Sequence, residues 1–293
     1  MDDSLAWFRD HHAENMERMF AAVSDLYAEH WSDFFHFAVF DGGPEEDWAA
    51  AFERTHRRYA EALRVGQAAR VLELACGRGG FAAFLATRTE GEVLGIDISR
   101  AQLARAMRRH RRPNLRFRRH DVMRVEDLGE RFDAVAFLDA ECYLPDKRAA
   151  LAGIAGVMNP GARLLILAWC KREGLRGLQE ELVLHPLMRA WGIPGLETPS
   201  AYRDHLRAAG LRLVGEEDLN GKVRRNWDFG YERAVGAARD ATPARIARLL
   251  WKGAPLGAEG VRLVKEQFAA ALYIKAGFDA GFLRYTYLLA EKG

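Results

Sequence analysis

Gly77, Gly79 and Ala82 stand at the spacing G-x-G-x-x-G/A in the stretch "RVLELACGRGGFAAFLA", residues 70–86. An apolar strand pattern precedes them and a small-residue helix pattern follows, so they mark a tight turn at which backbone can approach a nucleotide-like ligand closely. Asp97 lies about 20 residues beyond Gly77, where a carboxylate can accept hydrogen bonds from ribose hydroxyls. Taken alone, these residues fit NAD and S-adenosylmethionine (SAM) equally.

Further carboxylates recur at the places where a parallel α/β sheet holds its ligand, just beyond the carboxyl ends of the strands. Glu73 sits in the first strand pattern, Asp97 ends the second, Asp121 follows the third, and Asp139 and Glu141 follow the fourth. Two phosphates of a dinucleotide would be opposed by that much negative charge. SAM has no phosphate. Its sulfonium and ammonium cations are attracted by carboxylates, and its ribose hydroxyls donate to them. The acids therefore favour SAM.

The elements that must hold these residues are short apolar runs alternating with longer amphipathic stretches, the pattern of strand-crossover-strand units. Strands are expected at 70–75, 92–97, 115–119, 132–138, 162–169, 211–219 and 283–292, with "MNPG" at 158–161 as a turn. "AYRDHLRAAG" reads as a helix stopped by Gly210. Residues 1–66 and about 220–282 fall outside the alternation and look helical. Leu5, Phe8, Met16, Met19, Phe20 and Val23, and the segments "PARIARLLW" and "VRLVKEQFAAALY", carry apolar residues at helical spacing. No repeat, low-complexity tract or Gly/Ser-rich linker divides the chain. The expected organisation is an N-terminal helical lid segment, 1–66, and a SAM-binding domain, 67–293, with lid insertions at about 171–200 and 220–282, all covering the carboxyl edge of the sheet.

With these residues in place, "VLELACGRGG" resembles the first motif of the class I SAM-dependent methyltransferases, "VLDxGCGxGG". The resemblance implies a Rossmann-like α/β fold with a seven-stranded, mostly parallel sheet. It implies that Glu73, Cys76, Gly77 and Gly79 line the methionine portion, that Asp97 and Ile98 meet ribose and adenine, that Asp121 and Val122 meet the adenine edge, and that Leu138 floors the site. Ala75, where the family prefers Gly, and Gln102 join this cofactor set. "HWSDFFHFAVFDG", "DAECYLPDK", "LAWCKREGL" and "LYIKAGFDAGFLRYTYLLAEKG" are similar, in order, to segments of the tocopherol and sterol C-methyltransferase branch. That branch acts on hydrophobic terpenoid, quinone or alkaloid substrates, and related members on prenyl diphosphates. Asp139 stands where the branch usually has Glu and Tyr143 where it often has His, which leaves the acceptor chemistry open.

Methyl transfer from a sulfonium is an in-line displacement, so catalysis rests on holding the acceptor at about 3 Å from the methyl with water excluded. A carbon or hydroxyl acceptor must also lose a proton. Asp139, Glu141 and Tyr143 are the expected catalytic residues, on one side of an extended segment. Tyr27, Trp31, Phe37, Trp191 and Trp227, with His185 and Arg224, are expected to bind substrate, because aromatic faces suit apolar or transiently cationic groups and guanidinium suits an anionic tail. His36 and His56 are further candidate bases.

Composition narrows the class. With 293 residues, 49% hydrophobic and 29% charged, the chain reads as globular, and a net charge of +2 does not call for a polyanionic partner. Cys76, Cys142 and Cys170 are widely spaced, so neither a disulfide framework nor a metal site is expected. No apolar run approaches the roughly 18 residues of a membrane span, and a cytoplasmic location is expected. The run "RRHRRPNLRFRRH" raises RNA as a partner, but it lacks interleaved aromatics and arginine is abundant throughout, with 36 Arg against 7 Lys. The resulting expectation is a SAM-dependent methyltransferase of a hydrophobic natural product, with C- or N-methylation favoured over O-methylation. An RNA methyltransferase and a non-catalytic SAM-fold partner protein are the alternatives, and homo-oligomerisation is left open.

Overall fold

A computed structural model describes residues 3–30, 34, 36–43, 46–239 and 257–293. Seven strands form one sheet: β1 Val71–Leu74, β2 Val93–Asp97, β3 Leu115–Arg119, β4 Phe132–Leu138, β5 Met158–Lys171, β6 Leu211–Asp218 and β7 Leu283–Lys292. Their order is β3-β2-β1-β4-β5-β7-β6, with β7 antiparallel to both neighbours and the others parallel. This is the expected α/β architecture. The helices among the described residues are α1 Asp3–Asp10, α2 His12–His30, α3 Trp48–Ala62, α4 Gly80–Leu85, α5 Arg100–Arg109, α6 Lys147–Gly156, α7 His185–Trp191, α8 Pro199–Ala208, α9 Asn220–Arg239 and α10 Gly257–Asp279.

The central strands are apolar on both faces because helices cover both faces. Leu165, Leu167 and Trp169 of β5 join one core with Tyr285 and Phe81, while Leu164, Ile166 and Ala168 join the other with Leu151 and Tyr202. Side chains that alternate along a strand thus build two separate cores. Helix starts are set locally: Asp47, Ser99, Asp146 and Thr198 each accept a hydrogen bond from the N–H of the third residue on. Gly210, with φ of 73°, lies two residues past the end of α8, just after the C-cap Ala209, in the left-handed region that suits glycine.

Two expectations about the elements need correction. The stretch 158–161 does not end in a turn before the fifth strand. Met158 already pairs with Phe132, and the register then shifts so that Ala134 pairs with Arg163. Asn159, Pro160 and Gly161 are absorbed as an irregularity within β5, with Gly161 at φ 77°. Helix α3, expected within the lid, packs beside the sheet instead: Tyr59 is fully buried against Phe81 and Tyr287. "PARIARLLW" lies outside the described residues, whereas "VRLVKEQFAAALY" falls within α10.

Residues 36–43, between α2 and α3, form neither helix nor strand, and their buried backbone groups need partners from elsewhere. Asn226 of α9, fully buried, supplies them. Its Oδ1 accepts from the Ala38 N–H at 3.0 Å, and its Nδ2 donates to the carbonyls of Ala38 and Val223, both at 2.8 Å. This clamp fixes the neighbouring Phe37. Asn226→Ala leaves two backbone groups of Ala38 buried and unpaired, so urea unfolding should show a loss of about 2 kcal/mol. A loss below about 0.5 kcal/mol would mean that water or another side chain takes over the pairing.

Candidate cofactor and acceptor site

Strand order reverses between β1 and β4, so the loops after these two strands diverge and open a crevice at their carboxyl ends. The glycine-rich turn leaves β1 and residues 139–143 leave β4, on opposite sides of that crevice. Both loops begin in a conformation that L-residues seldom adopt: Ala75 has φ 50° and Asp139 φ 60°. Positive φ explains why glycine suits the position of Ala75. Gly79, at φ 73°, could not carry a side chain, since a Cβ would overlap the Phe117 ring.

Asp97 organises the turn. Its Oδ2 accepts from the Gly77 N–H and its Oδ1 from the Ser99 N–H, both at 2.8 Å, while the Gly79 N–H donates to the Cys76 carbonyl at 2.8 Å. Burial pushes the Asp97 carboxyl up to about 6, against the pull of those N–H donors. Glu73, behind the turn, is pushed by burial up to about 8, and its Oε2 has no hydrogen-bond partner. The Cys76 thiol is raised well above its usual range by burial and stays neutral.

A cavity of about 220 Å³ lies over this crevice. Ala75, Gly77, Asp97, Ile98, Gln102, Asp121 and Val122 line its β2–β3 side, and Leu138, Asp139, Tyr143, Phe37, Trp169, Trp191 and Trp227 line the part toward β4 and β5. Both atoms of the Gln102 amide are buried at this wall without a partner. The wall fits SAM and not a pyrophosphate. The Gly77 and Gly79 N–H groups already donate within the protein, and what faces a ligand beside them is a buried carboxylate. Asp97, Gln102 and Asp121 are the groups that would hold hydroxyl, amino and cationic functions.

The remaining expected residues lie off the cavity wall or outside the described residues. Glu73, Cys76 and Gly79 are not on the cavity wall but shape the turn from behind. Glu141, His185 and Arg224 are also off the wall. Residues 141–143 form a short 3-10 turn and not an extended segment, so Asp139 and Tyr143 reach the cavity while Glu141 turns into the opposite core. There its Oε1 accepts from the Trp169 N–H at 2.6 Å and from the Tyr202 hydroxyl at 3.4 Å. Arg224 is exposed and pairs with Asp228 and Asp279. His185 opens α7, half-buried, away from the wall. Trp31 and the Tyr27 side chain lie outside the described residues. His36 and His56 hydrogen-bond to each other at 2.8 Å, buried among Phe34, Phe52 and Phe81 and apart from the cavity. In the arginine run, Arg116 pairs with Glu92 and Glu130, and Arg118 with Glu130.

Some wall residues carry no expected role in the site, although the sequence pattern places several of them on helices. Helix α2 presents His12, Met16, Met19 and Phe20, and α10 presents Gln267, Phe268, Ala271 and Ile274. Their helical spacing marks one inward face, but nothing in the spacing says what that face meets. Tyr285 of β7 donates its hydroxyl to Asp139 Oδ1, a contact between residues 146 positions apart.

Residues 71–161 match the family described as a methyltransferase domain. The chain is 26% identical to a sterol 24-C-methyltransferase of Kluyveromyces lactis over 70% of its own length and 57% of that protein's. It therefore spans little more than half of that relative. A probable tocopherol O-methyltransferase of Oryza sativa subsp. japonica is 23% identical over 95% of this chain and 78% of its own. Residues 71–161 thus carry a methyltransferase domain, in keeping with the class I SAM-dependent motif that the glycine-rich turn resembles. The cyclopropane synthase MmaA2 of Mycobacterium tuberculosis shares the fold, with a TM-score of 0.78 at 16% identity over 96% of this chain and 98% of that one. SAM is the cofactor of a class I methyltransferase domain. No helix among the described residues is long and apolar enough to cross a membrane.

For this methyltransferase domain, Asp97 gives a pH signature. Ribose hydroxyls donate best to an ionised carboxylate, and this one takes up a proton near pH 6. Affinity for S-adenosylhomocysteine (SAH) should be level above about pH 7 and fall as pH drops through about 6. Asp97→Asn should lower the affinity at pH 8 and flatten the profile. Calorimetry across pH checks both, and an acid limb that persists in the variant would assign the titration to another group.

Proposed function

We propose that the protein transfers a methyl group from SAM to a hydrophobic small molecule of the terpenoid, prenyl, quinone or alkaloid-like kind, at carbon or nitrogen in preference to oxygen. The observation that carries this reading is the acceptor half of the cavity, where Phe37, Trp169, Trp191 and Trp227 share the wall with one half-buried carboxyl, Asp139, whose Oδ2 is buried. Aromatic faces attract positive charge, so these rings favour an acceptor that becomes cationic as it is alkylated. The names of the sequence relatives include both a C- and an O-methyltransferase, so kinship favours neither acceptor atom, and the preference for carbon or nitrogen is supported by the aromatic chamber alone.

The cofactor, when bound, supplies an electrophilic methyl group, and the chain's own residues do the rest. The rings exclude water and orient the acceptor. Asp139 takes the proton that a carbon acceptor releases. Burial, reinforced by the nearby Glu141, holds the Asp139 carboxyl well above its ordinary range, while the Tyr285 hydroxyl, the Phe37 N–H and the Trp169 indole pull it back. Its Oδ2 has no partner with hydrogen-bond geometry and is the oxygen left to receive a proton. Protonation removes a buried charge, which favours the transfer. Tyr285 holds the other oxygen and so orients the base.

Incubation with SAM and a panel of prenylated, quinone and alkaloid-like compounds should yield SAH and a product heavier by about 14 Da, the mass of a CH₂ group. Asp139→Asn should lower kcat by about 100-fold or more with SAH affinity within about twofold of wild type. Glu141→Gln should stay within about threefold in kcat, because that carboxyl lies outside the chamber. Equal loss in both variants would move the base from Asp139 to the pair, and full activity in Asp139→Asn would leave a nitrogen acceptor that needs no base.

A further inference from the structure

The β3 end of the cavity has a wall that the methyltransferase domain itself does not provide. His12, the first residue of α2, reaches over from the N-terminal helices, with Nε2 3.3 Å from Asp121 Oδ1 and only 9% of its side chain exposed. Neither ring nitrogen of His12 has a hydrogen-bond partner of good geometry. Asp121 Oδ1 already accepts from the Met123 N–H at 2.9 Å, as the cap of the turn after β3. Burial outweighs the pull of the Asp121 carboxylate and lowers the affinity of His12 for a proton, so the imidazole is neutral at pH 7.

A neutral imidazole has one N–H and one lone pair. Asp121, acceptor-only when ionised, can take the N–H. The lone pair then needs a donor, and leaving it buried and unpaired is costly. By the resemblance described above, Asp121 and Val122 meet the edge of adenine. The exocyclic amino group on that edge carries two N–H bonds in one plane, one for the Asp121 carboxylate and one for a second acceptor beside it.

We propose that His12, carried by the lid helix and not by the sheet, accepts a hydrogen bond from the adenine amino group and makes the lid part of the cofactor's adenine-recognition site. The same face of α2 carries Phe20, packed edge-on against Tyr143 at 6.1 Å, so capture of adenine at one end of the helix also steadies the acceptor wall at the other. The inference rests on SAM as cofactor and is independent of which acceptor is methylated.

The test compares SAH with S-inosylhomocysteine, in which an oxo group replaces the amino group, by calorimetry. Wild type should prefer SAH. His12→Ala, and His12→Phe, which keeps a packed ring without nitrogens, should weaken SAH binding about tenfold while S-inosylhomocysteine stays within about twofold, and His12→Gln should recover most of the SAH affinity. Equal weakening of both ligands would show His12 to be a packing residue, and unchanged SAH affinity in the alanine or phenylalanine variant would remove it from the site. Failure of folded wild type to bind SAH would overturn the cofactor and this inference together, whereas SAH binding without any methylated product leaves the adenine contact to be judged on the variant affinities alone.

Discussion

A carboxylate with almost no access to water sits at the centre of this site, and it is held there by backbone. Asp97 receives the N–H of Gly77 from the turn after β1 and the N–H of Ser99 from the start of α5. Those bonds replace the water it has lost and set the path of the glycine-rich turn, so one side chain joins two βα units at the point where a ligand must lie. They also settle the sign of the site. N–H groups that would welcome phosphate are already engaged, and a negative group is what remains beside them. The choice between a phosphate-bearing and a cationic cofactor is made by that occupancy.

Across the crevice the same economy of space operates with a strained residue. Asp139 leaves β4 at positive φ, a conformation that costs about 1–3 kcal/mol for a side chain of this kind. Tyr285 holds the carboxyl in place, and the ring of Phe37, itself packed on Tyr285 and Trp169, closes the chamber. Phe37 is placed by the Asn226 clamp between the N-terminal region and α9. The strained Asp139, the clamp and the aromatic wall form a connected arrangement, and each piece lies on a different element.

Helices outside the sheet supply much of the chamber wall. Helices α2, α7, α9 and α10 each contribute residues to the wall, and Asn15 of α2 donates to the Gly192 carbonyl at 3.0 Å, tying α2 to the end of α7. The chamber wall is thereby assembled from distant parts of the chain.

Much of this was legible in the residues. The seven strands, the turn after β1 and the acids at the strand ends follow from alternation, glycine spacing and the rule that parallel sheets bind ligands at their carboxyl ends, all of which are local or topological facts. Ala75, Gly77, Asp97, Gln102, Asp121 and Asp139 reach the cavity because such facts position them. Glu141 did not follow its expected neighbours, since a tight 3-10 turn rotates it into the other core, and period-two reasoning holds only for extended backbone. Likewise Arg224 found carboxylate partners on the surface, and His12 and Tyr285 gained their places from contacts more than a hundred residues away in sequence. Spacing determines which side chains share a face of an element. Which faces meet, and hence which polar atoms are left buried and in need of a ligand, is a property of packing between elements and is decided only by the tertiary structure.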